Sequence, residues 1–256
     1  MKKHRKLMKP FKALNECWEA FLARLPKWLS PWVRDTADVG ATVLTIIIIL
    51  RLLLGADMLV PLVVVTSQSM VHTAGDNSWI SWLQSRGVKD NVISSFPLTS
   101  GFDMGDMMVV RDPKAVLGDV IIYERDLHHL NFSSTDPIIH RVVGVAQVKD
   151  YVPVSGEGTL DCFTLNSFKQ YADNVRACQE GSEKCFYSRY PEGGDFRFFI
   201  TKGDNNAGSD QCNINFKIAY PVNDAQVTGR AFLRLPMIGW PKLILSLIFR
   251  IITFQF

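Results

Sequence analysis

The sequence predicts a mainly β domain behind an N-terminal transmembrane helix, with two insertions in the β domain. Three features carry that expectation. A long apolar run fills residues 39–65. Beyond it, six short segments rich in β-branched and aromatic residues are bounded by Gly-Asp and Thr-Gly turn pairs. Two stretches then break the strand rhythm.

The first element is basic. Lys2, Lys3, Arg5, Lys6, Lys9 and Lys12 crowd the start of the chain, and Arg24, Lys27 and Arg34 follow before the apolar run. Phe11, Leu14, Cys17, Trp18, Phe21, Leu22 and Leu25 recur at helical spacing, which predicts an amphipathic helix ending near Pro26 and lying on an anionic lipid surface. Residues 1–38 thus form a basic cytoplasmic segment, with Trp28 and Trp32 as an aromatic belt.

Residues 39–61 are expected to span the bilayer, since about 20 apolar residues suffice. Arg51 and Asp57 interrupt the run. A mid-bilayer arginine costs ~2.5–3.5 kcal/mol, and each Leu or Ile returns ~0.3–0.6, so the apolar residues outweigh it. Asp57 is expected near the outer interface and Pro61 at the helix exit. A long basic preamble without a clean small-x-small cleavage pattern favours an uncleaved anchor. The basic excess ahead of it puts the N-terminus in the cytoplasm and the rest outside, across the cell or endoplasmic-reticulum membrane.

Residues 62–234 form the expected extracytoplasmic domain. Its strands are Leu62–Val65, Met107–Val110, Val120–Tyr123, Ile138–Val145, Phe196–Thr201 and Val227–Leu235. The insertions are 75–101, with Trp79, Trp82 and a short helix, and 151–195, which carries three cysteines. Residues 235–256 are apolar again apart from Lys242 and Arg250, and are expected to associate with the membrane. A second span and a buried strand-plus-helix stay open.

Bulk properties exclude several classes. At 256 residues and 47% hydrophobic, the chain holds one domain and one or two spans, not a polytopic transporter. A net charge of +3 is too small to imply a nucleic-acid partner. Cys162, Cys178, Cys185 and Cys212 all follow the apolar run with no C-x-x-C pair, which favours two disulfides in an oxidising compartment over a zinc site or free thiols. Three pairings are open.

Four polar residues are candidates for chemistry. Ser69, in VVVTSQSMVHT, follows the anchor. His140, in IIHRVVGV, shares a strand face with Ile138 and Val142, while Ile139, Arg141 and Val143 take the other. Asp204 and Asp210 lie in TKGDNNAGSD. An imidazole is a natural base for a serine hydroxyl, and a carboxylate holds its tautomer. Each signal is weak alone: His140 also reads as a core residue, and GDNN as plain turn chemistry.

Taken in order, the boxes resemble type I signal peptidases. They are the anchor, Ser67–Met70 (S-x-S-M), Gly105–Pro113 (GDMMVVRDP), Gly118–Glu124 (GDVIIYE), IIHRVVGV, Phe199–Asn206 (FITKGDNN) and Gly229–Trp240 (GRAFLRLPMIGW). Histidine before Arg-Val-Val points to the archaeal and endoplasmic-reticulum branch. The resemblance implies a signal-peptidase-like β domain and a serine endopeptidase that cleaves signal peptides from exported preproteins after small residues. It makes Ser69 the nucleophile and His140 the base, with one of Asp204 and Asp210 assisting and the Ser67 hydroxyl in the oxyanion hole. Met70, Val109, Val110, Ile138, Ile139 and Val142 are the expected substrate-pocket residues. Preproteins, membrane lipids and accessory membrane subunits are the implied partners, and neither metal nor organic cofactor is required.

Two positions depart from the pattern. Gln68 stands where the family has glycine, and His72 where a proline commonly follows the methionine. His72 is a rival base, ranked second because it lies too near Ser69 along the chain. These changes motivate an alternative, a catalytically silent relative serving as scaffold in a secretion complex. A protease of narrow substrate range is a further alternative. His128 and His129, beside Asp126, are expected in a solvated loop, and Asn131-Phe132-Ser133 is a glycosylation sequon.

Overall fold

A computed structural model of the chain describes residues 16–55, 58–73, 77–126, 136–212 and 218–253. Phe11, Leu14 and the basic residues up to Lys12 lie outside the described residues, as do Asp57, His128, His129 and the Asn131 sequon. The chain divides into two compact units, residues 1–50 and 51–256.

Helix α1 (residues 16–22) stops before Pro26, and α2 (Ser30–Leu54) follows, its last turn belonging to the second unit. Leu22 is buried, and Arg34 Nη2 forks onto the Glu19 carboxylate at 2.5 and 2.7 Å. Trp28 and Trp32 are exposed. At 25 residues α2 is about 37 Å long, enough to cross a ~30 Å hydrocarbon layer, and none of its side chains is buried. Its limits differ from the expected 39–61. Ser30 and Pro31 open it, Pro31 being suited to a first helical turn, and it closes ahead of Gly55, whose φ of +63° suits a helix end. Arg51 therefore sits in the last turn rather than mid-span. There its charge is favourable beside the C-terminal carbonyls.

The second unit is mainly strand. An eight-stranded antiparallel sheet curls through β1 (Leu62–Val64), β2 (Met107–Arg111), β3 (Val120–Tyr123), β4 (Ile138–Lys149), β5 (Val152–Gly158), β6 (Phe196–Lys202), β7 (Val222–Asn223) and β8 (Val227–Leu235). Its order is β1-β2-β8-β3-β4-β6-β7. The 12-residue β4 organises the site. Its first half pairs with β3, its second half pairs with β5 along the same edge, and β6 runs along the other edge from Arg141 onward. Register shifts in β2–β8, β3–β8, β4–β5 and β4–β6 mark bulges, which sharpen the twist. The unpredicted β5 contains Pro153 and two glycines, turn-like residues tolerated because this strand, among the described residues, pairs with β4 alone.

The residues at 75–101 contain α3 (Ser78–Gln84) and α4 (Asp90–Ile93), which bury Trp79, Leu83 and Ile93 against a core that also holds Val143, Ala146, Phe198 and Ile200. In the 151–195 stretch, a short 3-10 turn leads into α5 (Lys169–Gln179), whose Tyr171, Ala172 and Val175 enter the same core. The cysteines pair as Cys162–Cys212 and Cys178–Cys185, and Cys17 is free. The first bridge closes a separation of 50 residues, which by chain entropy stabilises the fold by about 4 kcal/mol. α6 (Trp240–Thr253) is apolar, its described side chains are largely exposed, and its 14 described residues reach about 21 Å.

Candidate catalytic site

Ser69 lies in the turn between β1 and α3, and three main-chain ties hold it. Asn205 N–H donates to Ser69 O (2.8 Å), Asn205 Nδ2 to Gln68 O (3.1 Å), and Phe102 N–H to Met70 O (3.0 Å). The Gln68 side chain is exposed, so this position contributes its carbonyl to the site rather than its amide.

His140 projects from β4 on the face that also carries Ile121 and Val142. Its Nε2 is 2.9 Å from Ser69 Oγ, and its Nδ1 is 2.7 Å from Asp210 Oδ2. An ionised carboxylate only accepts, so Nδ1 carries the proton and Nε2 accepts from the Ser69 hydroxyl. The Ser67 hydroxyl, 3.1 Å from Ser69 Oγ, is then the donor in that pair.

Asp210 is completely buried. Its Oδ2 also accepts from Tyr123 OH (2.9 Å) and Thr201 Oγ1 (2.6 Å), and its N–H donates to Thr201 O (2.8 Å). Burial first, and then the Asp210 charge, push the Tyr123 hydroxyl well above its ordinary value. Tyr123 therefore stays a donor throughout the neutral range. Gln211 steadies Thr201 from both sides, its Oε1 accepting from Thr201 N–H and its Nε2 donating to Oγ1. Gly203 fills the floor. A Cβ there would stand 2.8 Å from both His140 Nε2 and Ser69 O.

Asp204 corrects an expectation, for it does not assist His140. Its carboxylate takes Arg141 Nε at 2.9 Å and Nη2 at 2.7 Å, on the opposite face of β4, with His72 Nε2 at 3.0 Å. Burial pushes its pKa up, but the Arg141 charge and the bonds from His72 and Arg141 outweigh that and hold the carboxyl below its usual range. Arg141 also donates to the carbonyls of Pro97, Leu98 and Gly118. His72 stacks on Trp79 and is committed to Asp204, which removes it as a rival base.

The expected pocket residues need a second correction. Met70, Val110 and Val142 are completely buried in the core and present no surface to a ligand; Ile139 is nearly so. Val110 is an inward residue of β2, which alternates; β4 is buried on both faces at Ile139 and Val142, and Met70 packs into the core from the Ser69 turn. Val109 and Ile138 remain partly exposed. Two concavities adjoin the Ser69 turn. One, about 660 Å³, is lined by His72, Asn77, Trp79, Gln84 and Thr99. The other, about 490 Å³, lies between Thr66, Met104 and the α6 residues Trp240, Leu243, Ile244 and Leu247.

Tyr123, Thr201, Gly203 and Asn205 were not singled out from sequence. Only Gly203 carried a signal, as a glycine between a strand and an Asp-Asn-Asn turn. No family model matches the chain, and no curated protein sequence matches it.

Proposed function

We propose that this chain is a membrane-anchored serine endopeptidase of the type I signal-peptidase kind, in its Ser-His branch, which removes signal peptides from exported preproteins. One observation carries the reading. The hydroxyl of Ser69, the imidazole of His140 and the carboxylate of Asp210 form a continuous hydrogen-bonded relay at 2.9 and 2.7 Å. That arrangement activates a serine nucleophile.

In the proposed reaction His140 Nε2 takes the Ser69 proton as Oγ attacks the scissile carbonyl. Asp210 holds the imidazole in its tautomer and stabilises its charged form. The Ser69 N–H and the Ser67 hydroxyl receive the oxyanion; one such donor is typically worth ~3–4 kcal/mol in the transition state. His140 then protonates the leaving amine and activates the water that releases the acyl group. Among the described residues β1 pairs with β2 alone, and its other edge, close to the nucleophile in sequence, suits an extended substrate strand. The membrane-length α2 ends fifteen residues before Ser69, which favours action on membrane-borne substrates.

Ser69→Ala and His140→Ala, each assayed on preprotein cleavage in membranes, test the reading. Loss in both is expected. Cleavage that survives Ser69→Ala overturns the peptidase and favours a binding role in a secretion complex.

A further inference from the structure

The loop that carries Asp210 is fastened on both sides to one turn of the 151–195 stretch. On one flank, Ser209 Oγ donates to Asp161 Oδ2 at 2.7 Å. On the other, Cys212 is bonded to Cys162, whose N–H also donates to Cys212 Sγ at 3.2 Å. Asp161 and Cys162 are consecutive, so one turn grips residues 209 and 212 with Asp210 between them. The turn is itself anchored. Arg86, just beyond α3, donates from Nε to Asp161 Oδ1 at 2.8 Å and stacks its guanidinium 3.8 Å from the centroid of the Trp82 ring. Asp161 takes a φ of +52°, in the left-handed region, at this turn.

That grip acts on the main chain and adds to the side-chain bonds that Asp210 Oδ2 takes from His140, Tyr123 and Thr201. The Asp210 N–H reaches Thr201 O and its carbonyl accepts from Ile218 N–H, but no strand runs through residues 203–212. A carboxylate must be held within a few tenths of an ångström to keep the imidazole aligned with the hydroxyl.

We propose that the Cys162–Cys212 disulfide, with the Arg86–Asp161–Ser209 bridge, is a positioning clamp for Asp210, and that it ties the activity to an oxidised state of the chain. The inference rests on the serine-peptidase reading for its effect on rate, but not for its effect on the loop. The Cys162 side of the bridge is exposed, so a small dithiol reaches it. Reduction converts the dithiol to its cyclic disulfide as Cys162 and Cys212 each take one hydrogen.

The test uses the full-length chain in detergent micelles with two readouts, amide hydrogen exchange across residues 201–212 and steady-state cleavage of a preprotein. The Cys162→Ser/Cys212→Ser pair is compared with the Cys178→Ser/Cys185→Ser pair, and Ser209→Ala gives a milder lesion that keeps the disulfide. The expected result for the first pair is faster exchange at Asp210 and Cys212, and a fall of at least tenfold in kcat with KM changed less than twofold. The second pair should match the parent. In an Asp210→Asn background, loss of the clamp should cost less than twofold, because a positioning residue acts only through the group it positions. Unchanged exchange at residues 209–212 overturns the clamp whether or not the chain cleaves anything. A loosened loop with unchanged kcat, or an undiminished penalty in the Asp210→Asn background, overturns it as well. Cleavage that persists in Ser69→Ala overturns the peptidase reading separately, and the exchange data still decide the clamp.

Discussion

His140 and Arg141 are neighbours on β4, and each captures a different aspartate of the loop that follows β6. His140 Nδ1 is 2.7 Å from Asp210 Oδ2, and Arg141 Nη2 is 2.7 Å from Asp204 Oδ2. Strand alternation sends the two side chains to opposite faces, so the loop is pinned from both sides of the sheet. The two carboxylates therefore have different partners, an imidazole for Asp210 and a buried guanidinium for Asp204.

That difference predicts opposite phenotypes. Asp210→Asn keeps the shape but cannot hold Nδ1–H as a carboxylate does, and kcat should fall by about four orders of magnitude with a near-normal unfolding midpoint. Asp204→Asn leaves the guanidinium of Arg141 buried without a counter-charge and should cost about 3–5 kcal/mol. The folded-state pKa of Asp204 is depressed below its ordinary 3.8. Its stabilisation is thus fully present above that value and fades as pH falls through the folded one. Denaturant titrations from neutral to acidic pH check this: the parent should lose stability below about pH 4 more steeply than Asp204→Asn.

Gly203→Ala should cripple the site from the backbone side. The new methyl would lie 2.8 Å from His140 Nε2 and from Ser69 O, where one neighbour is main chain and the other is the proton acceptor. Separating them breaks the Ser69–His140 contact, so kcat should fall at least a hundredfold, about 3 kcal/mol of transition-state energy. Asn206→Ala, which frees the third close neighbour, should not restore it. Steady-state cleavage by the two variants and their double mutant measures this.

Some of this was legible in the chain and some was not. The two-residue period of β4 put His140 and Arg141 on opposite faces, and the Gly-Asp turns marked where the main strands stop. Which aspartate meets His140 was not readable, because that depends on how the loop from Gly203 to Cys212 is folded back, and its fasteners are distant in sequence. Tyr123 is 87 residues from Asp210, and Cys162 is 50 from Cys212. The burial of Met70, Val110 and Val142 was unreadable for another reason. Met70, Val110 and Val142 are apolar and near the nucleophile in the boxes, but apolar strand residues fill a core as readily as they line a surface cleft.

Met70 shows what that burial does. Its side chain is fully enclosed, and its sulfur accepts from Asp204 N–H at 3.3 Å, so it supports the Asp204 turn from beneath. Met70→Ala should destabilise the domain by about 2–5 kcal/mol through the cavity it leaves. Met70→Leu preserves volume and should cost less than about 1.5 kcal/mol. Paired urea unfolding curves with unchanged m-values would establish that difference.

Lys202 gives the alkaline prediction. It lies opposite Arg141 in the β4–β6 register, is almost fully buried, and donates from Nζ to Gly203 O (2.9 Å) and Asp204 O (3.0 Å). Burial lowers its pKa from 10.5 to about 8, against the upward pull of Asp204 and Asp210. Below the lower value both folded and unfolded chains hold the proton. Between the two values the unfolded chain binds it and the folded chain does not, so stability must rise with pH across that window. The full rise is about 3 kcal/mol. Tyr123 and Tyr187, both held well above their ordinary value of 10.0, oppose it only at higher pH, where the unfolded phenols ionise first. Urea midpoints should therefore climb from about pH 7.5 to about pH 9.5 in the parent chain and stay level in Lys202→Met. Parallel profiles for the two would show that the ammonium keeps its proton there, and that its two carbonyl bonds outweigh its burial.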